Sequence, residues 1–176
     1  MKTGKRRIGR AFTIIELTIA MSLGMAVAAM IIALFNQQLA FLRMYRTQSF
    51  LMEEAPLISL HVSKLVGRAE RFRLHASLED ALNGDNPRSD ASPVVVLNYR
   101  QPDGTVRAAL LAFHDIGEGE ALYYYIVPSS GPLGDPQWYI SNKAANIEFV
   151  LDEGVLRMVI TGPEGEEVTY SGTMQL

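Results

Sequence analysis

The chain has 176 residues, enough for one modest domain, with 16 Lys or Arg against 19 Asp or Glu and no cysteine. The absence of cysteine excludes a disulfide framework, a thiolate nucleophile and a cysteine-based metal site. Five of the basic residues (Lys2, Lys5, Arg6, Arg7, Arg10) fall in the first 11 positions, and residues 12–176 carry a net −8, which argues against a nucleic-acid-binding body.

The next stretch, residues 12–35, reads FTIIELTIAMSLGMAVAAMIIALF and holds one ionisable side chain, Glu16. As a helix rising ~1.5 Å per residue it spans ~36 Å, more than a ~30 Å hydrocarbon core. The five basic residues before the run outnumber Arg43 and Arg46 after it, which favours a cytoplasmic N-terminus. Two general readings are an uncleaved signal anchor and a signal peptide cut near Ala26-Val27-Ala28, although the apolar run continues through Phe35. Neither accounts for a carboxylate so early in the run, where charge is costly.

A third reading does. The segment GRAFTIIELTIAM resembles the processing motif of type IV pilins and type II secretion pseudopilins. The resemblance implies a leader of residues 1–11, cleavage by a prepilin peptidase between Ala11 and Phe12, and N-methylation of Phe12. The residue before the cut is Ala11, where the family usually has Gly. It puts Glu16 at the fifth mature position, where it would pair with the Phe12 amine of a neighbouring subunit and set the register of a stack of helices. The implied partners are the peptidase, other pilin or pseudopilin subunits, an inner-membrane assembly platform and a secreted substrate, with no nucleic acid and no cofactor. The implied location is the inner membrane, single-pass with a periplasmic C-terminal domain, and then a filament. The alternative is a single-pass anchored periplasmic binding or scaffold domain that does not polymerise.

After residue 35 the chain turns polar at Asn36-Gln37-Gln38 but stays helix-compatible. Leu39, Leu42, Tyr45, Leu57, Ile58, Leu60, Val62, Leu65, Val66, Ala69 and Phe72 recur at helical spacing. The pattern predicts a periplasmic half of one long helix over 36–82, kinked or interrupted at Pro56 and ended by Asn83-Gly84. Phe41, Leu42 and Tyr45 precede any domain that would cover them, which suits helix–helix contact with neighbouring subunits. Arg68, Arg71 and Arg73 read as the solvated face of the same helix.

Residues 83–176 read as a loop and a sheet domain. Strands are predicted at 94–100, 105–113, 121–127, 138–140, 146–151, 155–161 and 167–171, with turns at Gln101-Pro102-Asp103-Gly104 and Asp152-Glu153-Gly154. In the 146–161 hairpin, Ile147, Phe149, Leu151, Leu156, Met158 and Ile160 share one face, directed at the helical stripe. The fold class is therefore α+β: a long N-terminal helix, transmembrane in its first half, packed on a C-terminal antiparallel meander. The pilin resemblance implies the same layout. The hairpin with its polar last strand is also similar to the end of minor pilins of the PilW kind or J-type pseudopilins.

Enzymatic chemistry finds little footing. His61, His75 and His114 lie far apart, and no nucleophile elbow, phosphate loop or zinc-helix motif occurs. Asp115, Glu118 and Glu120 are candidate metal ligands in one turn. A solvated acidic hairpin is the simpler reading, because Ca²⁺ takes roughly six to eight converging oxygens. Tyr123, Tyr124 and Tyr125 alternate across a strand and suit sheet packing.

Overall fold

The structure is a computed structural model that describes residues 13–174. Helix α1 covers Ile14–Ser49, followed by a π-turn at Phe50–Glu54 and helix α2 at Ala55–Val66. Eight strands follow: β1 Arg71–His75, β2 Val94–Arg100, β3 Val106–Asp115, β4 Glu120–Ile126, β5 Trp138–Ser141, β6 Asn146–Asp152, β7 Val155–Thr161 and β8 Glu167–Met174. A short helix, α3 at Leu78–Asn83, lies between β1 and β2. A long apolar N-terminal helix followed by antiparallel sheet is the α+β layout expected.

The chain divides into two compact units, Met1–Met44 and Tyr45–Leu176. Within the first, α1 has no buried residue; Leu, Ile, Met and Phe side chains project from every side. A helix apolar all round is a membrane span or a buried core helix, and this one is long and apolar enough to cross a membrane. Its hydroxyls fold back onto the helix. Thr18 Oγ1 donates to the Ile15 carbonyl at 2.9 Å and Ser22 Oγ to the Thr18 carbonyl at 2.9 Å. Internal satisfaction of that kind is what a span in lipid requires.

In the second unit the helical part ends sooner than the sequence spacing predicts. Pro56 has no N–H and would crowd the carbonyl of Met52 in a regular helix. The π-turn relieves this: the Ala55 N–H donates to the Phe50 carbonyl, five residues back, and the helix continues. It stops at Val66 with Gly67 as its C-cap, and residues 71–75, expected to be helical, form β1 instead. Arg71 and Arg73 are exposed on that strand while Phe72 and Leu74 are buried, a period of two. Phe72 belonged to the helical spacing by coincidence. The expected stripe is also narrower. Ala55, Ile58, Val62 and Val66 are buried, whereas Leu57 and Leu60 are exposed.

The strands form two sheets rather than one meander: five strands in the order β1-β2-β3-β4-β5, and three in the order β6-β7-β8, all pairs antiparallel. Ile58, Val62 and Val66 of α2 share one core with Leu97, Leu111 and Tyr124 of the larger sheet and Phe149, Met158 and Ile160 of the smaller. The hairpin face read from sequence holds, with Ile147 opposite Ile160, Phe149 opposite Met158 and Leu151 opposite Leu156. The reverse face of the larger sheet is covered too. Val94, Leu110, Ala112, Tyr123 and Tyr125 pack with Ala81 of α3, and Leu78 and Leu133 lie at the margin. Cover on both faces explains the near-continuous apolar runs of β2, β3 and β4. The tyrosines are sheet packing as expected, with Tyr124 on one face and its neighbours on the other.

Two joins fix the smaller sheet. The Ser92 and Phe149 backbones exchange hydrogen bonds at 3.0 and 2.8 Å, linking the segment before β2 to β6. The β7–β8 turn closes on the π-turn: a side chain at Gly162 would meet the Glu166 carboxylate and the Phe50 ring and would have to displace them.

Candidate functional site

Ala11 and Phe12, the residues of the expected processing site, lie outside the described residues. Glu16 lies within them, in the first turn of α1. Its Oε2 accepts from the Thr13 backbone N–H at 2.9 Å and from Thr13 Oγ1 at 3.1 Å, while the Glu16 N–H donates to Thr13 Oγ1 at 3.2 Å. This is a capping box, in which two orphan amides at the helix start are satisfied reciprocally. The T-x-x-E signature before an apolar run was present in the sequence, and it gives Glu16 a local role beside the one the resemblance implies. Farther along α1, Leu34, Gln37, Gln38, Phe41 and Leu42 line a shallow groove, and Phe41 is 69% exposed.

The turn between β3 and β4 carries Asp115, Glu118 and Glu120, all exposed. Asp115 Oδ1 accepts from the Gly117 and Gly119 amides at 2.6 and 2.9 Å, so it is engaged in shaping the turn. Both glycines sit at positive φ (105° and 100°), which the tight return requires. Among the described residues no three His, Cys, Asp or Glu side chains converge as metal ligands.

The histidines are equally dispersed. His75 is buried, with Nδ1 2.8 Å from the Asp85 carbonyl oxygen. His114 Nε2 is 2.8 Å from Tyr125 Oη. Burial holds the His114 pKa below its ordinary value, with Asp115 acting the other way.

A concave site that sequence reasoning missed lies at the opposite end of β3. Leu65 at the end of α2, Arg68 just after it, Tyr99 and Arg100 of β2, Arg107 and Ala109 of β3 and Tyr124 of β4 border an open cleft of about 350 Å³. It shares Gln101, Arg107, Ala108 and Ile126 with a second concavity reaching Pro128 and Ser129. Tyr99 Oη donates to the Leu65 carbonyl at 3.1 Å, and burial raises its pKa well above the ordinary tyrosine value. Arg100 is held by Glu70 in a two-point pair, Nη2–Oε1 at 2.8 Å and Nε–Oε2 at 3.0 Å. That pairing lowers the Glu70 pKa. Arg68 and Arg107 form no ion pair among the described residues. The cleft brings together residues as distant in the chain as Leu65 and Ile126, so no local motif announces it. The one usable signal is the β2–β3 hairpin, which sets Arg107 directly opposite Tyr99.

Comparison with protein-family models, with curated proteins and with solved structures finds no match for this chain.

Proposed function

We propose that the chain is a minor pilin or pseudopilin, a structural subunit and not an enzyme. It is made as a membrane-inserted precursor, processed by a prepilin peptidase between Ala11 and Phe12, and assembled into a type IV pilus or type II secretion pseudopilus. The observation that carries this reading is α1 itself. It is a 36-residue helix with no buried residue and a single carboxylate near its start, Glu16, three positions after Thr13. The capping box with Thr13 would serve a plain anchor too, but a carboxylate at the edge of lipid also favours a cation beside it, and a subunit's free amine supplies one.

On this reading the span first holds the precursor in the inner membrane with its basic leader in the cytoplasm. Cleavage frees the Phe12 amine, which becomes N-methylated and positively charged. Glu16 Oε2 already serves Thr13, and the other oxygen takes the amine of the neighbouring subunit. The pair sets axial register as helices leave the membrane for the filament. An assembly platform in the inner membrane supplies the extraction, and the sheet unit faces the periplasm, where neighbours or secreted cargo meet it.

The test is the intact mass and N-terminus of the membrane-fraction protein, with and without the host's prepilin peptidase. A chain beginning at Phe12, N-methylated and dependent on the peptidase, is expected. A chain retaining Met1 would make this an anchored periplasmic binding or scaffold domain, with Ala11 in place of the usual glycine as the reason. A chain starting near Ala29 would overturn both readings.

A further inference from the structure

The cleft beside Tyr99 is the basic part of an otherwise acidic body. Arg68, Arg71, Arg100 and Arg107 gather at one end of the larger sheet, whereas residues 115–176 hold ten acidic residues against Lys143 and Arg157. The acids near the arginines are already committed. Glu70 is spent on Arg100, and Asp103 turns back to accept from the Thr105 N–H at 2.9 Å and its hydroxyl at 2.6 Å. Arg68 and Arg107 are left as exposed cations beside a wall of Tyr99, Tyr124, Ala109 and Ile126. Charge beside a low-dielectric wall attracts its opposite more strongly than charge on an open surface.

We propose that this cleft docks the acidic β3–β4 turn, residues 115–120, of a second copy of the chain. The turn offers the complementary chemistry: Glu118 and Glu120 are exposed and take part in no ion pair among the described residues. Asp115 ties the turn to its own glycine amides, so little order has to be imposed on docking. The occupant must come from another chain. Arg107 and Asp115 stand at opposite ends of β3, roughly 27 Å apart at ~3.4 Å per residue, so the turn cannot reach its own cleft. A contact of unlike surfaces leaves one cleft and one turn unfilled on every pair, so each pair can take up a further copy. The inference deepens the filament reading by naming a lateral contact. It rests on that reading only in requiring that copies meet.

The chain has no cysteine, so introduced thiols report one contact each. Two differently tagged full-length chains, one carrying Arg107→Cys and the other Glu118→Cys, are co-expressed in membranes and treated with a short thiol–thiol cross-linker. A mixed dimer is expected, and none when Glu167→Cys on β8 replaces Glu118→Cys. Adding Arg68→Glu to the first chain should lower the yield roughly tenfold or more, and adding Glu120→Arg to the second should restore it. Equal yield with the Glu167 control, insensitivity to both reversals, or capture by Arg107→Cys of a different acidic protein only would each overturn the proposal. The cross-link is scored with and without the prepilin peptidase while the N-terminus is read in parallel. Chains starting at Phe12 without the cross-link sink this contact alone; cross-linked chains that keep Met1 sink the filament reading alone.

Discussion

Glu16 has two claims on it, and they separate by substitution. As the last residue of a capping box it needs only an acceptor for the Thr13 amide and hydroxyl. As the partner of a neighbour's amine it needs a charge. Glu16→Gln keeps the first role and removes the second, and losing one member of a buried charge pair costs roughly 3–5 kcal/mol. Both Glu16→Gln and Glu16→Ala should be cleaved normally yet fail to enter filaments, as judged by sheared-filament fractions beside membrane fractions. Incorporation of Glu16→Gln at wild-type level would reduce the residue to a helix cap. A second residue-scale prediction concerns His114, where burial outweighs Asp115 and holds the pKa low. The folded state favours neutral imidazole, so the contribution to stability is present above the unfolded value of about 6.5 and is lost as pH falls through the lower folded pKa. His114→Gln should therefore flatten part of the acid-side slope of stability, measured by denaturant unfolding between about pH 7.5 and 5.

At the scale of elements, α2 carries the join between the two sheets, through one narrow face. Ile58→Ala opens a hole where both sheets and the helix meet and should cost about 2–5 kcal/mol. Leu57→Ala, one position earlier and 54% exposed, should change stability by less than about 0.5 kcal/mol. Paired denaturation curves check the contrast; equal losses would mean that the helix presents a different face. This element also shows how far sequence can be read. The turns after β2 and β6 were legible because Pro102, Gly104 and Gly154 punctuate them, and the alternation of β6 and β7 was legible because period-two burial follows it. The helix end was not. Gly67 was the stop signal, but Ala69 and Phe72 continued the helical spacing, and β1 is only five residues long. Its identity depends on pairing with β2, a tertiary fact that local propensity does not carry.

For the whole molecule, the legible part was the contrast between a run apolar on every side and a body with patterned burial. The T-x-x-E cap at Thr13 and Glu16 was open to reading because its residues are close in the chain. The arginine cleft was not, because Arg68 and Arg107 meet only after α2 and β3 are in place. The same contrast predicts how the chain divides. No residue of α1 is buried, and buried residues begin at Phe50, the first position of the π-turn. A cut before Tyr45 removes the apolar span. It keeps the Arg46–Glu164 ion pair at 3.6 Å and the contact of Phe50 with the Gly162 turn. Every buried side chain of the sheet unit survives the cut, and exposed surface contributes little to stability. A chain of residues 45–176 should thus be water-soluble and monomeric at low concentration, and unfold in one cooperative step. Its midpoint should lie within a few degrees of the full chain in detergent, because a shift of ~1 kcal/mol moves Tm by only about 4 °C at this size. Aggregation of that fragment, or a midpoint lowered well beyond this range, would show that α1 completes the core and is not a separable anchor.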